Sequence, residues 1–222
     1  MPPDFKANDV EREIFQRELD SFVPDRVLDA HAHMWPKTAL DPAEDTEMRE
    51  WFAEDFPLTQ MRTVMQEVLP GREFGGLLVP FPLNTHGQGQ PSKELAKRLN
   101  DYVSEQAATD PLVKPGMFVY PEMEKDFLRS EVRRLGAASF KVYHSASKRD
   151  QTADSDIPEF LTEEHVSVAD EFGLAITLHM VKTRAVADKG NQHWIRTFCE
   201  KYPNIKLILA HAARSFILGR SK

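Results

Sequence analysis

From residue 26 onward the chain repeats one rhythm: a short, unbroken apolar run, then a longer segment whose apolar residues recur at helical spacing. The runs fall at 26–31, 75–81, 115–120, 138–143, 174–178 and 205–210. A strand with one wet face alternates apolar and polar residues. Continuous apolar runs read instead as strands covered on both faces, as in a parallel sheet. Between them lie helical patterns at 57–69, 92–108, 121–136, 162–173 and from 191 onward. Ser92 and Thr162 suit N-caps, because a hydroxyl can accept a hydrogen bond from a free N–H of the first turn. Pro121 suits a first helical position, and Gly136 and Gly173 suit helix stops. In the last helix Trp194, Ile195, Phe198, Cys199 and Tyr202 share a face, so Cys199 reads as core. A charged stretch at 9–22 predicts one more helix, ahead of the first strand.

Strand–helix alternation implies βαβ units. Six strands fit two architectures, a doubly wound open sheet and a (β/α)8 TIM barrel with about six of its eight units present. The histidines favour the barrel. Of eight, five (His31, His33, His144, His179 and His211) stand at the C-terminal end of a predicted strand or just past it. In a barrel those ends converge on one mouth, where chemistry is done. The chain is therefore read as an N-terminal helical extension, 1–24, and a C-terminally incomplete barrel domain, 25–222.

His31 and His33 lie two residues apart in Asp29-Ala30-His31-Ala32-His33, so on a strand both rings point to one face. Both can then reach one cation, at roughly 2.0–2.1 Å per Zn–N bond. Ala30 and Ala32 turn the other way and admit helices. A His-x-His pair alone also describes two polar residues at a strand end, and His179 or His211 alone reads as structural. Their convergence on one rim is what points to a metal. His86, His165 and His193 are read as solvated, and His144 is counted at the rim without a role.

Composition narrows the partners. With 222 residues, 41% of them apolar, the chain can bury a real core. A net charge of −7 disfavours a phosphate backbone, so no nucleic acid is expected. The single cysteine forbids an internal disulfide and fits a reducing, cytoplasmic location. Neither a signal-peptide core nor a run of roughly 18 apolar residues is present in the sequence, so no membrane partner is expected. Homo-oligomerisation stays open. Residues 34–56, with Trp35, Trp51, Phe52 and many acids, form a long insert. Its acidic part reads as a solvated lid, and Trp35 as a pocket wall or core.

Four segments carry a family resemblance: Val27-Leu-Asp-Ala-His-Ala-His33, Phe140-Lys-Val-Tyr-His144, Ile176-Thr-Leu-His-Met180 and Tyr202-Pro-Asn-Ile-Lys-Leu-Ile-Leu-Ala-His-Ala-Ala-Arg-Ser-Phe216. In this order they resemble the amidohydrolase superfamily, in its amidohydrolase-related (amidohydrolase 2) branch of hydrolases and decarboxylases. The resemblance implies that His31, His33 and His179 hold one divalent metal, zinc first and manganese second. It implies His211 as the catalytic histidine. Lys141, Arg214 and Trp35 would face a small substrate, the two cations suiting a carboxylate. Asp29 would orient a ligand or cap its strand. In some relatives the Lys141 position is a carboxylated lysine bridging two metals, and at Ala213 relatives commonly carry glycine.

The activity so implied is a hydrolase, with metal-activated water attacking an ester, lactone or amide carbonyl. A non-oxidative decarboxylase on the same metal is the alternative. The family completes its site with an aspartate from the eighth strand, and this sequence ends after the sixth, so an inactive truncated remnant is the third expectation.

Overall fold

The computed structural model describes residues 5–39, 54–81 and 93–213. Asn8 opens α1 (Asp9–Ile14) through a capping box with Glu11, satisfying two N–H groups that the first turn leaves free. The helix runs on as a π turn over Phe15–Leu19 and stops three residues short of its expected end. This segment docks by charge. Lys6 and Arg12 meet Glu67 of the next helix, and the Arg72 guanidinium lies 5.2 Å over the buried Phe15 ring.

Six strands follow: β1 (Arg26–Met34), β2 (Glu73–Pro80), β3 (Val113–Phe118), β4 (Ser139–Tyr143), β5 (Ala175–His179) and β6 (Lys206–Leu209). Five helices intervene: α2 (Leu58–Val68), α3 (Lys93–Ala108), α4 (Lys125–Leu135), α5 (Glu163–Phe172) and α6 (Lys189–Lys201). Every neighbouring strand pair is parallel, and the spatial order is the chain order, β1 to β6. That order decides the architecture. A doubly wound sheet reverses direction partway, whereas a barrel adds each unit beside the last. The fold is an incomplete TIM barrel of six parallel strands.

Two apolar clusters hold it. One gathers Ala32, Met34, Leu78, Leu95 and Leu99 where β1 and β2 meet α2 and α3. The larger spans β3 to β5 and their helices, with Phe118, Leu128, Phe140, Phe160 and Ile176 all fully buried. Gly136 and Gly173 end α4 and α5 in the left-handed conformation (φ 62° and 64°), as their sequence positions predict.

Four local readings are corrected. Pro121 does not begin α4; Met123 N–H bonds the Tyr120 carbonyl in a turn first, and Glu124 is the N-cap. Asn191 does not open α6. Asp188 caps it, and buried Asn191 donates to the Val181 and Ala185 carbonyls. Cys199 is exposed rather than core, because it lies one helical step past the inward-facing Phe198. His165 is fully buried rather than solvated, since 165, 168 and 169 share the face that α5 turns to the sheet. Arg214, His86, Trp51, Phe52, the cap at Ser92 and residues 40–53 of the insert lie outside the described residues.

Candidate active site

The β1 strand carries a register shift between Asp29 and Ala32. There the Asp29 carboxylate accepts the backbone N–H of His31 at 2.8 Å. Asp29 therefore steadies the strand end, not an imidazole ring. Past the shift, Ala32 and Met34 pack outward into the apolar cluster, which turns His31 and His33 inward with ring centroids 4.6 Å apart.

The other strand ends extend this pair into a chain of rings. His211 stands 5.3 Å from His31 and 4.9 Å from His179. His179 in turn lies 5.6 Å from Tyr143 and 5.8 Å from His144. The structure thus brings His31, His33, His179 and His211 to one rim, with His211 as the link between the β1 pair and His179. His211 is exposed and adopts a left-handed backbone (φ 56°).

Lys141 reaches further inward than expected. Its side chain is fully buried, and its Nζ lies 2.7 Å from His31 Nε2 and 4.7 Å above the Tyr143 ring. When Lys141 is an ammonium it only donates, and His31 Nε2 then offers its lone pair with the ring proton on Nδ1. Burial lowers the Lys141 pKa to about 7. Burial, then Lys141 and His211, lower that of His31 to about 3. His33 is pushed down the same way, first by burial. These imidazoles are neutral at physiological pH, the form that ligates metals.

Trp35 is buried one ring away from the site. It stacks on Phe56 at 4.6 Å, and Phe81 is the aromatic edge that meets His33, at 4.7 Å. Sequence reasoning did not single out Phe81 or Tyr143, and it gave His144 no role. The signal for all three was present: each stands at the C-terminal end of a strand. His144 Nδ1 lies 3.1 Å from the Thr152 hydroxyl, which fixes its ring beside His179.

The donor chemistry fits a divalent cation. It comprises the neutral imidazoles of His31 and His33 on β1, the His179 ring at the end of β5, and a buried His33 Nδ1 without a hydrogen-bond partner among the described residues. The rings are not drawn together into a coordination sphere: among the described residues no three of His, Cys, Asp and Glu form a metal-holding group.

Residues 28–220 match the family model described as amidohydrolase. The chain belongs to the amidohydrolase family. Solved structures similar to this chain include 2,6-dihydroxybenzoate decarboxylase from Rhizobium, at 18% identity and TM-score 0.52, over 82% of this chain and 64% of that one. Another is a 2,6-dihydroxybenzoate decarboxylase complexed with 2,6-dihydroxybenzoate, at the same identity and TM-score, over 82% and 65%. The chain spans less than two thirds of the length of these neighbours. At this identity the likeness shows the TIM-barrel fold. No curated protein matches the sequence. The family and the neighbours are enzymes, and the family is generally metal-dependent. No helix among the described residues is long and apolar enough to cross a membrane.

Proposed function

We propose that this member of the amidohydrolase family acts on a small carboxylate-bearing substrate, by metal-dependent non-oxidative decarboxylation. The observation that carries this reading is the buried Lys141 amine at 2.7 Å from His31 Nε2. The first charge effect on both His31 and His33 comes from Lys141. A pocket with that field favours an anion. His31, His33 and His179 would hold the divalent cation, zinc or manganese, which would supply positive charge for the substrate's oxygens. Lys141 would pair with the carboxylate as the substrate enters. When the carbon–carbon bond breaks, the electron pair stays on the substrate carbon and carbon dioxide leaves. His211, on the open side of the rim, would deliver the proton that replaces it. Outside the described residues, Arg214 follows this histidine closely enough in sequence to add a second cation.

The family match favours a second reading, hydrolysis of an ester, lactone or amide. In it Lys141 would hold a carboxylate remote from the bond that is cut, and His211 would polarise the carbonyl. Incubation of the chain with 2,6-dihydroxybenzoate and with aryl esters, under zinc or manganese, separates the two. Carbon dioxide release supports decarboxylation, and ester cleavage without it overturns that reading.

Binding tests the site apart from turnover. About one divalent ion per chain is expected, falling at least tenfold in affinity in His31→Ala and His179→Ala. Lys141→Met should keep the metal and lose 2,6-dihydroxybenzoate binding. Full metal content in both histidine variants removes the ligand assignment.

A further inference from the structure

Outside the barrel mouth, a cavity of about 400 Å³ opens between α3 and α4, just past the end of β3. Its volume is in the range of small-molecule sites. Tyr120 and Met123, each 5% exposed, and Phe127, 49% exposed, give it an apolar floor and lip. Glu94, Glu122 and Glu124 stand around them.

The charges do not cancel. Glu131, also on the wall, pairs with Arg134 at 2.6 Å, and Lys97 is drawn away to Asp101. Glu122 meets Lys148 at 3.2 Å, but that lysine is 80% exposed. Glu94 and Glu124 make no ion pair among the described residues, and Lys93 is the remaining cation on the wall.

Tyr120 supplies a second, independent sign. Its side chain is more than nine-tenths buried against this cavity, yet its hydroxyl makes no hydrogen bond among the described residues. Burial first, then Glu122 and Glu94, raise the pKa of this phenol, which places its oxygen in a negative field.

We infer that this cavity is a binding site for a small organic cation, a protonated amine carried on an aromatic or aliphatic body. The body would rest on Met123 and Phe127, where an aromatic face adds attraction for positive charge. The ammonium would donate to Tyr120 Oη and lie between Glu94 and Glu124. None of these groups belongs to the histidine rim, so the site stands whether or not the proposed activity does.

The test is titration of the full chain with phenethylammonium, against 2-phenylethanol as the uncharged match, followed by amide chemical shifts. The ammonium should bind with a Kd on the order of 1 mM, as expected for so few non-hydrogen atoms. The shifts should be centred on 93–97 and 120–127. The alcohol should bind at least about fivefold more weakly, since charge is what the acids read. Tyr120→Phe and Glu94→Gln should each weaken the ammonium by a similar factor. Equal binding of amine and alcohol, shifts confined to the histidine rim, unchanged affinity in both variants, or no saturation at high millimolar amine would each overturn the inference.

Discussion

The β4 and β6 strands begin as nearly the same sequence pattern, a short apolar run ending in a histidine, and finish as opposite environments. All five residues of β4 are buried. In β6 the first residue is exposed and the other three are half-buried. The difference is not hydrophobicity. β4 has a strand on each side, β3 and β5, and helices over its outer face. β6 pairs with β5 on one side, and no described strand pairs with its other edge. Position in the sheet sets burial, and burial sets chemistry. β4 sends a lysine into the site with a pKa lowered to about 7, while β6 sends His211 to a solvent-facing rim.

Core truncation should expose this contrast most strongly. Phe140 of β4 is fully buried in the larger apolar cluster, so Phe140→Ala should cost about 3–5 kcal/mol, the transfer term plus the cavity left behind. Leu207 of β6 is only partly buried against the same cluster, and Leu207→Ala should cost about 1–2 kcal/mol. Urea unfolding measures both. Equal losses would mean that β6 is as well covered in solution as β4.

The same contrast explains what the sequence could and could not disclose. Apolar runs located all six strands, and strand-end histidines selected the barrel over the doubly wound sheet. Both readings depend on local pattern alone. Lys141 lay within the resemblance, but its contact with His31 joins residues 110 apart in sequence, and no local pattern encodes which side chain fills a barrel interior. Trp35, left open between pocket wall and core, joins the apolar cluster of β1 and β2 for a related reason. Phe81, from the neighbouring strand, took the position beside His33. His165 was misread through its residue type, when its helical phase with Val168 and Ala169 already pointed inward.

His165 gives the second test, in the buried middle of the molecule. It is fully buried, neither ring nitrogen has a close hydrogen-bond partner, and burial lowers its pKa from 6.5 to about 4. Between those values the unfolded chain binds a proton that the native state refuses, so stability falls as pH drops from 6.5 toward 4. Above 6.5 both states are neutral and the effect vanishes. At pH 4.5 the loss from this residue should be about 2 kcal/mol. His165→Leu should remove that part of the acid sensitivity while retaining stability at pH 7. Parallel pH profiles for the two proteins would show that the ring is hydrated in solution.

The smallest effect should come from the end of β6, where the backbone itself is strained. His211, Ala212 and Ala213 all adopt positive φ, of 56°, 48° and 56°. For a residue with a Cβ, the left-handed region costs roughly 1–2 kcal/mol, because Cβ approaches the carbonyl oxygen. Ala213 is also the position where the resemblance places glycine in relatives, and glycine carries no such cost. Ala213→Gly should therefore stabilise the chain by about 0.5–1 kcal/mol, after offsetting the extra freedom glycine has in the unfolded state. The gain should be read as a shift in the urea midpoint with an unchanged slope. It should also leave metal affinity at the rim intact, since it removes no donor. A loss of stability on this substitution would show that the turn presenting His211 is not left-handed in the folded protein, and with it the link that joins the β1 histidines to His179 would need another geometry.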